Sequence, residues 1–193
     1  VNAPTFAPGA PGIDPRWTSS AKSGVGTALD PLSRVWFTLS HGIFNEVYYP
    51  RVDQACMRDM GLIVTDGKDF FSEEKRHTRT GIETLAPGVP AYRILNTCVA
   101  GRYTIEKKIL ADPHRDALLQ CTRFTAQSGR AEDYHVHVLL APHLGNRGAG
   151  NTAWVGEYKG WPWRWPARSR GRSARRDSSE SPTAGRTCIG TSG

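Results

Sequence analysis

Residues 92–112 read YRILNTCVAGRYTIEKKILAD, and the fold class turns on them. Two arms, about Tyr92–Val99 and Arg102–Leu110, flank the dipeptide Ala100-Gly101. In the second arm Tyr103, Ile105 and Ile109 alternate with Thr104, Glu106 and Lys108. That period of two buries one face of a strand and wets the other. A join this short between two such arms predicts an antiparallel hairpin.

The same grammar extends in both directions. RVWFTL (34–39) and NEVYYP (45–50) are rich in aromatic and β-branched residues, which favour a pleated, half-buried surface. MGLIVTDG (60–67) runs into the turn dipeptide Asp66-Gly67 and then KDFF, a second hairpin signal. DALLQCTRFTAQ (116–127) follows, and DYHVHVLLAP (133–142) holds Tyr134, Val136, Val138 and Leu140 in phase. No helical period persists beyond a turn or two. The expected fold is therefore all-β, an antiparallel sandwich. APHLGNRGAGNTAWVGEYKG (141–160) reads as a long glycine-rich surface loop leading into another strand, and such loops often carry function.

Three segments are expected. Residues 1–16, with four prolines among small residues, predict an extended arm. Residues 17–160 carry the sandwich. Residues 161–193 form an Arg/Ser-rich tail, disordered or read out of frame, with a single Val/Ile/Leu-type residue, Ile189, and no lysine; no strand is expected there. The tail's seven arginines against Asp177 and Glu180 give +5 of the chain's +7, leaving only +2 for residues 1–160. A nucleic-acid partner is weighed for the tail alone, because arginine contacts phosphate and tryptophan stacks on bases. It lacks RGG or RS repeats, and no nucleic-acid partner is expected.

Cys56, Cys98, Cys121 and Cys188 are widely and irregularly spaced. They predict neither a disulfide framework nor a zinc site but mostly buried small apolar residues of a reducing compartment. The N-terminus has no basic and apolar leader pattern, and no apolar run approaches the ~20 residues of a membrane span. A cytoplasmic location, no membrane partner and no cofactor are the expectations.

Candidate chemistry is sparse. His135 and His137 share one strand face without an obvious third ligand, so no metal is expected. Ser40, His41 and Asp30 sit outside any nucleophile-elbow context. The segment NEVYYPRVDQACMRD (45–59) is denser. It sets Glu46, Asp53 and Asp59 among Tyr48, Tyr49 and Arg51. Carboxylates beside aromatic rings suit sugar binding, since rings pack on the apolar faces of sugars. The alternative is a structural ion pair, with Asp53 or Asp59 accepting from Arg51 or Arg58.

SRVWFTLSHGIFNEVYYPRVDQACMRDMGLIVTDG (33–67), RYTIEKKILADPHRD (102–116) and LLAPHLGNRGAGNTAWVGEYKG (139–160) together resemble the N-terminal domain of bacterial glucoamylases and glucodextranases, glycoside hydrolase family 15. The resemblance covers roughly residues 10–160. It implies a galactose-mutarotase-like β super-sandwich that precedes an (α/α)6-barrel. It further implies hydrolysis of α-glucosidic bonds with inversion, by two barrel glutamates flanking the scissile bond. No helical repeat is present here, so the resemblance implies a truncated, incomplete sandwich without its catalytic barrel. No catalytic residue carries over. Glu46, Tyr48, Tyr49, Arg51 and Asp53 match the family block and are the candidate substrate or domain-interface residues. The expected partners are an α-glucan in the full-length family and the missing barrel. A non-catalytic carbohydrate-binding module is the alternative.

Overall fold

A computed structural model of the chain describes residues 5–6, 18–158, 161–168 and 188–190. Strand follows strand: β1 (Thr5–Phe6), β2 (Gly24–Thr27), β3 (Trp36–Ser40), β4 (Ile43–Tyr48), β5 (Ala55–Thr65) and β6 (Phe71–Glu73). A single helical turn, α1 (Glu74–His77), leads into β7 (Thr78–Thr84), β8 (Tyr92–Cys98), β9 (Tyr103–Ala111) and β10 (Leu118–Ala126). A short 3-10 turn at Ala131–Asp133 precedes β11 (His135–Pro142), β12 (Asn151–Tyr158), β13 (Trp161–Arg168) and β14 (Cys188–Gly190).

Two large sheets face each other. One runs β11-β5-β4-β3-β2, with β6 extending the β4 side of β5; the other runs β14-β10-β9-β8-β7. The antiparallel all-β expectation holds. The opening hairpin forms as β8 and β9, in register from Tyr92↔Ile109 to Thr97↔Thr104. Inward residues of β9 alternate with wetter ones as the sequence pattern required.

The interior is two apolar clusters. Val35, Phe37, Leu39, Phe44, Val47 and Met60 of the first sheet meet Ile94, Ile109, Ala111 and Leu118 of the second. Leu62, Val64, Cys98, Tyr103, Ile105 and Tyr134 form the other. A polar knot sits among them. Lys107 lies in phase with Ile105 and Ile109 and is fully buried. Its Nζ stands 2.6 Å from Glu74 Oε2, itself fully buried at the first turn of α1. Glu74 also accepts from Leu62 N at 2.9 Å and Asn96 Nδ2 at 2.6 Å. Asn96 Nδ2 reaches Gly42 O at 2.9 Å, and Thr80 donates to Asn96 Oδ1 at 2.7 Å. The chain crosses from one sheet to the other at α1, which places Glu74 inside. Burial pushes the Lys107 ammonium below its ordinary range, with Glu74 pulling it back up.

One expectation fails. Trp161–Arg168 was expected to add no strand, yet it forms β13, antiparallel to β12 from Asn151↔Arg168 to Tyr158↔Trp161. Cys188–Gly190 pairs parallel to Leu119–Cys121 of β10. The physical reason lies in WPWRWPAR: three tryptophans alternate with proline and arginine. Aromatic residues favour strands, and proline is tolerated because β13 ends the three-stranded sheet β1-β12-β13, where one edge needs no donors. The rest of the expected disordered tail, and all of the N-terminal arm but Thr5–Phe6, lie outside the described residues.

Candidate interaction face and rim

The outer surface of the first sheet is built by register. Glu46 of β4 stands opposite Thr38 of β3 and Arg58 of β5, and Arg58 stands opposite Ala141 of β11. All four face away from the core. Bulges sharpen this surface. Asp59, with φ of 47°, is the extra residue between Arg58 and Met60 as β5 pairs with β11. Its carboxylate takes Lys75 at 2.8 Å and lies 2.9 Å from the Thr18 hydroxyl. Asn45 donates to Ser19 O at 3.0 Å. Residues 18–22 are thereby held across the face.

Glu46 is the hub. Its Oε2 accepts from Lys22 Nζ at 2.8 Å and from the Tyr48 hydroxyl at 2.7 Å. Burial works to raise its pKa. The hydrogen bonds from Lys22 and Tyr48, with the charges of Lys22 and Arg58, outweigh that and hold the carboxyl below its ordinary value of 4.5. Burial, then Glu46, pushes the Tyr48 hydroxyl up to about 12, so it stays a donor. His143 lies beside them. Burial and then the Arg58 charge lower its pKa, against the pull of Glu46.

Tyr49 points the other way. Its ring packs against the first apolar cluster, its hydroxyl takes Arg34 Nη2 at 3.0 Å, and the Arg34 guanidinium lies 5.3 Å from its ring centre. Arg34 also pairs with Asp116 at 2.7 Å. Arg51 and Asp53 form a two-pronged pair at 3.1 and 3.0 Å in the exposed turn after β4. The five candidate residues are therefore split three ways. Glu46 and Tyr48 share the outer face, Tyr49 closes the core, and Arg51 and Asp53 brace a turn.

That turn meets the loop between β11 and β12. Asn146 accepts from Ala55 N at 3.1 Å and donates to Asp53 O at 3.3 Å. His143 N donates to Cys56 O at 2.8 Å, and Asn151 Nδ2 closes the loop onto Pro142 O and Arg147 O at 2.9 and 2.8 Å. Two segments some ninety residues apart thus make one rim. Sequence reasoning missed Lys22, Asn146 and His143; the Asn-Gly-rich loop was the only signal for the last two.

The other candidates come apart. Ser40 Oγ lies 2.6 Å from His41 Nδ1, but Ser40 is buried, and Asp30 accepts instead from Leu32 N at 2.9 Å. The His135 and His137 rings lie 6.5 Å apart, and no group of three metal-ligating side chains gathers among the described residues. Cys56, Cys98 and Cys121 are free thiols, but the burial expected of them holds only for Cys98: Cys56 is half-buried, and Cys121 is exposed because it takes an outward position on β10, next to the inward Gln120. A cleft of about 500 Å³ lined by Asp66, Lys68, Arg102, Glu132 and His135 lies at the far end of β5. Ten residue steps put it roughly 33 Å from the rim.

The lowered Glu46 carboxyl has a consequence with a definite sign. Its contribution to stability is complete above its unfolded value of 4.5 and is lost as pH falls through the lower folded value, because the unfolded state then binds more protons. The thermal midpoint is expected to fall from pH 6 to pH 3 less steeply in Glu46→Gln than in the parent. Equal slopes would remove Glu46 from the acid transition.

The comparisons with known proteins point in one direction. The family described as glucodextranase, domain N, matches residues 7–192. A glucoamylase from Clostridium sp. (strain G0005) is 40% identical over 145 residues, which is 75% of this chain and 21% of that protein. A crystal structure of a bacterial glucoamylase complexed with acarbose superposes with a TM-score of 0.80 at 35% identity, over 87% of this chain and 25% of the other. The chain thus spans about a fifth to a quarter of the length of these relatives. It belongs to the glucodextranase domain N family, the N-terminal β-sandwich domain of glucoamylase-type proteins.

Proposed function

We propose that the chain is the accessory β-domain of a glucoamylase-type enzyme that acts on α-glucans, and that bond cleavage belongs to a helical barrel outside this sequence. The observation that carries this reading is the backbone match to a solved glucoamylase over 87% of the chain. The chemistry of the face agrees. A glycosidase general acid needs a raised carboxyl pKa, whereas Glu46 is held low. Asp53 is paired with Arg51 and Asp59 with Lys75. These carboxylates are braces. The outer face of Glu46 and Tyr48, with the rim around Asn146, is the proposed docking surface for the barrel.

Two measurements test this. The purified chain is expected to release no glucose from maltooligosaccharides; dose-dependent release would refute it. In a full-length homologue, Tyr48→Ala is expected to weaken domain docking or substrate affinity by about tenfold, the scale of one well-packed interface tyrosine. Tyr49→Ala instead should lower stability first, because its ring closes the core. Unchanged docking and affinity in Tyr48→Ala would sink the proposed interface. Retardation in starch gels without hydrolysis would favour a glucan-binding module.

A further inference from the structure

Three connections meet at the far end of β5 and wall the cleft of about 500 Å³. They are the β5–β6 turn with Asp66 and Lys68, the β8–β9 turn with Arg102, and the segment from Ser128 to Tyr134. Their own hydrogen bonds close them. Asp66 Oδ1 accepts from Lys68 N and Phe70 N, both at 3.0 Å. Arg102 O accepts from Gln127 N and Ser128 N at 2.8 and 3.2 Å. The buried Tyr134 donates its hydroxyl to Ser128 O at 2.7 Å. Arg130 N donates to Asp133 Oδ2 at 2.8 Å. The walls are therefore set without a ligand. Both donors and acceptors are left over. The Arg102 guanidinium rests 4.9 Å from the Phe70 ring centre, and neither it nor the Lys68 ammonium has an ion pair or side-chain hydrogen bond among the described residues. Asp66, Asp133 and Glu132 each use one carboxylate oxygen, on Lys68 and Phe70 N, Arg130 N and Arg130 Nε respectively. The other oxygen of each stands outside these bonds. Arg130 offsets Glu132, and Lys68 with Arg102 match Asp66 and Asp133, so the lining is close to neutral.

We propose that this cleft is a non-catalytic binding site for a neutral saccharide, a short stretch of α-glucan. Its being an α-glucan rests on the proposed function; the preference for a neutral, hydroxyl-rich ligand rests on the lining alone. Charge makes the first selection. An anion would meet three carboxylates, and a cation would meet a guanidinium and an ammonium. No group of three metal-ligating side chains gathers there to hold an ion. Hydrogen bonding makes the second. A hydroxyl both donates and accepts, so one polyol can take the open N–H groups of Arg102 and Lys68 together with the open carboxylate oxygens. The Tyr134 ring belongs to the lining, and rings pack on the apolar faces of sugars. The volume falls in the range of small-molecule sites. A glucan held there lies roughly 33 Å from the docking rim, so the cleft anchors substrate and takes no part in docking.

Amide chemical shifts of the full chain titrated with maltotriose are expected to saturate at about millimolar concentrations, with the changes centred on residues 66–70, 102 and 128–135. Arg102→Ala should weaken binding about tenfold or more, the scale of one lost charge-assisted hydrogen bond. Lys108→Ala removes an equal charge from the outer face of β9, about 20 Å along the strand from Arg102, and should leave binding unchanged. No saturation by about 50 mM, shifts centred elsewhere, or equal affinity in Arg102→Ala would overturn the proposal and leave a solvent-filled cleft. Inorganic phosphate shifting the same amides where maltotriose does not would overturn it in favour of an anion site. The docking reading fails or stands separately, in the Tyr48→Ala full-length homologue. Starch-gel retardation that Arg102→Ala abolishes would support the cleft as the glucan site, alongside docking.

Discussion

Lys107→Ala is expected to destabilise the domain by about 3–5 kcal/mol, the cost of leaving a buried charge without its partner. Lys107 and Glu74 are both fully buried, 2.6 Å apart. Removing the ammonium leaves a carboxylate in the interior with only Leu62 N and Asn96 as donors. A buried pair is seldom the most stabilising arrangement, and apolar replacement of both partners is often neutral. Here it is not free. Glu74 also satisfies the backbone N–H of Leu62, and a buried donor left alone costs about 1–3 kcal/mol. Lys107→Met with Glu74→Gln keeps an acceptor for Leu62 and removes both charges. Urea unfolding of the single and double variants should show the double variant recovering more than half of the Lys107→Ala loss. Additive losses would mean that the two side chains are not coupled.

Gly42→Ala is expected to cost about 3 kcal/mol, from left-handed backbone strain and a broken buried hydrogen bond together. Gly42 follows His41 at the tip of the β3–β4 hairpin, with φ of 76° and 51° respectively. A methyl group there would overlap the Asn96 amide and stand 2.6 Å from Thr80 Oγ1. Asn96 cannot step aside without giving up Glu74, Thr80 or Gly42 O. Gly101→Ala is the matched control. Its φ is also positive, at 70°, but nothing lies within 4 Å of the added carbon. Thermal unfolding should separate the two by several degrees, since 1 kcal/mol shifts the midpoint by roughly 2–4 °C in domains of 150–250 residues. Equal shifts would mean that the hairpin tip is not locked to the second sheet.

The strands were legible wherever one face is buried and the other wet. β9 is the clearest, because its alternation is the physical cause of its burial pattern. β13 was misread because proline and arginine masked the alternation of Trp161, Trp163 and Trp165. β11 shows the limit of pattern reading. Val136, Val138 and Leu140 are in phase with the core, but period two fixes only which way a side chain points. Whether anything lies opposite depends on strand order.

The candidate site divides in the same way. The segment 45–59 could be picked out from composition, and Arg51 with Asp53 lie close enough in sequence for their pairing to be anticipated. That Tyr48 and Tyr49 go to opposite sides follows from the pleat. What those groups meet does not follow from local spacing: Glu46 takes Lys22 from 24 residues away, and the Arg34 that reaches Tyr49 is held by Asp116, 82 residues from it.

Sequence by itself determined the all-β class, the hairpins, the neutral body with its basic end and the family, because these depend on neighbours along the chain. Tertiary structure alone decided that Lys107, in phase with isoleucines, meets Glu74 from a helical turn 33 residues away, and that β11, among the described residues, stands at the edge of its sheet beside β5. Both depend on which strands become neighbours in space. Loop closure costs only slowly growing entropy with length, so distant partners are chosen by packing and charge satisfaction rather than by spacing.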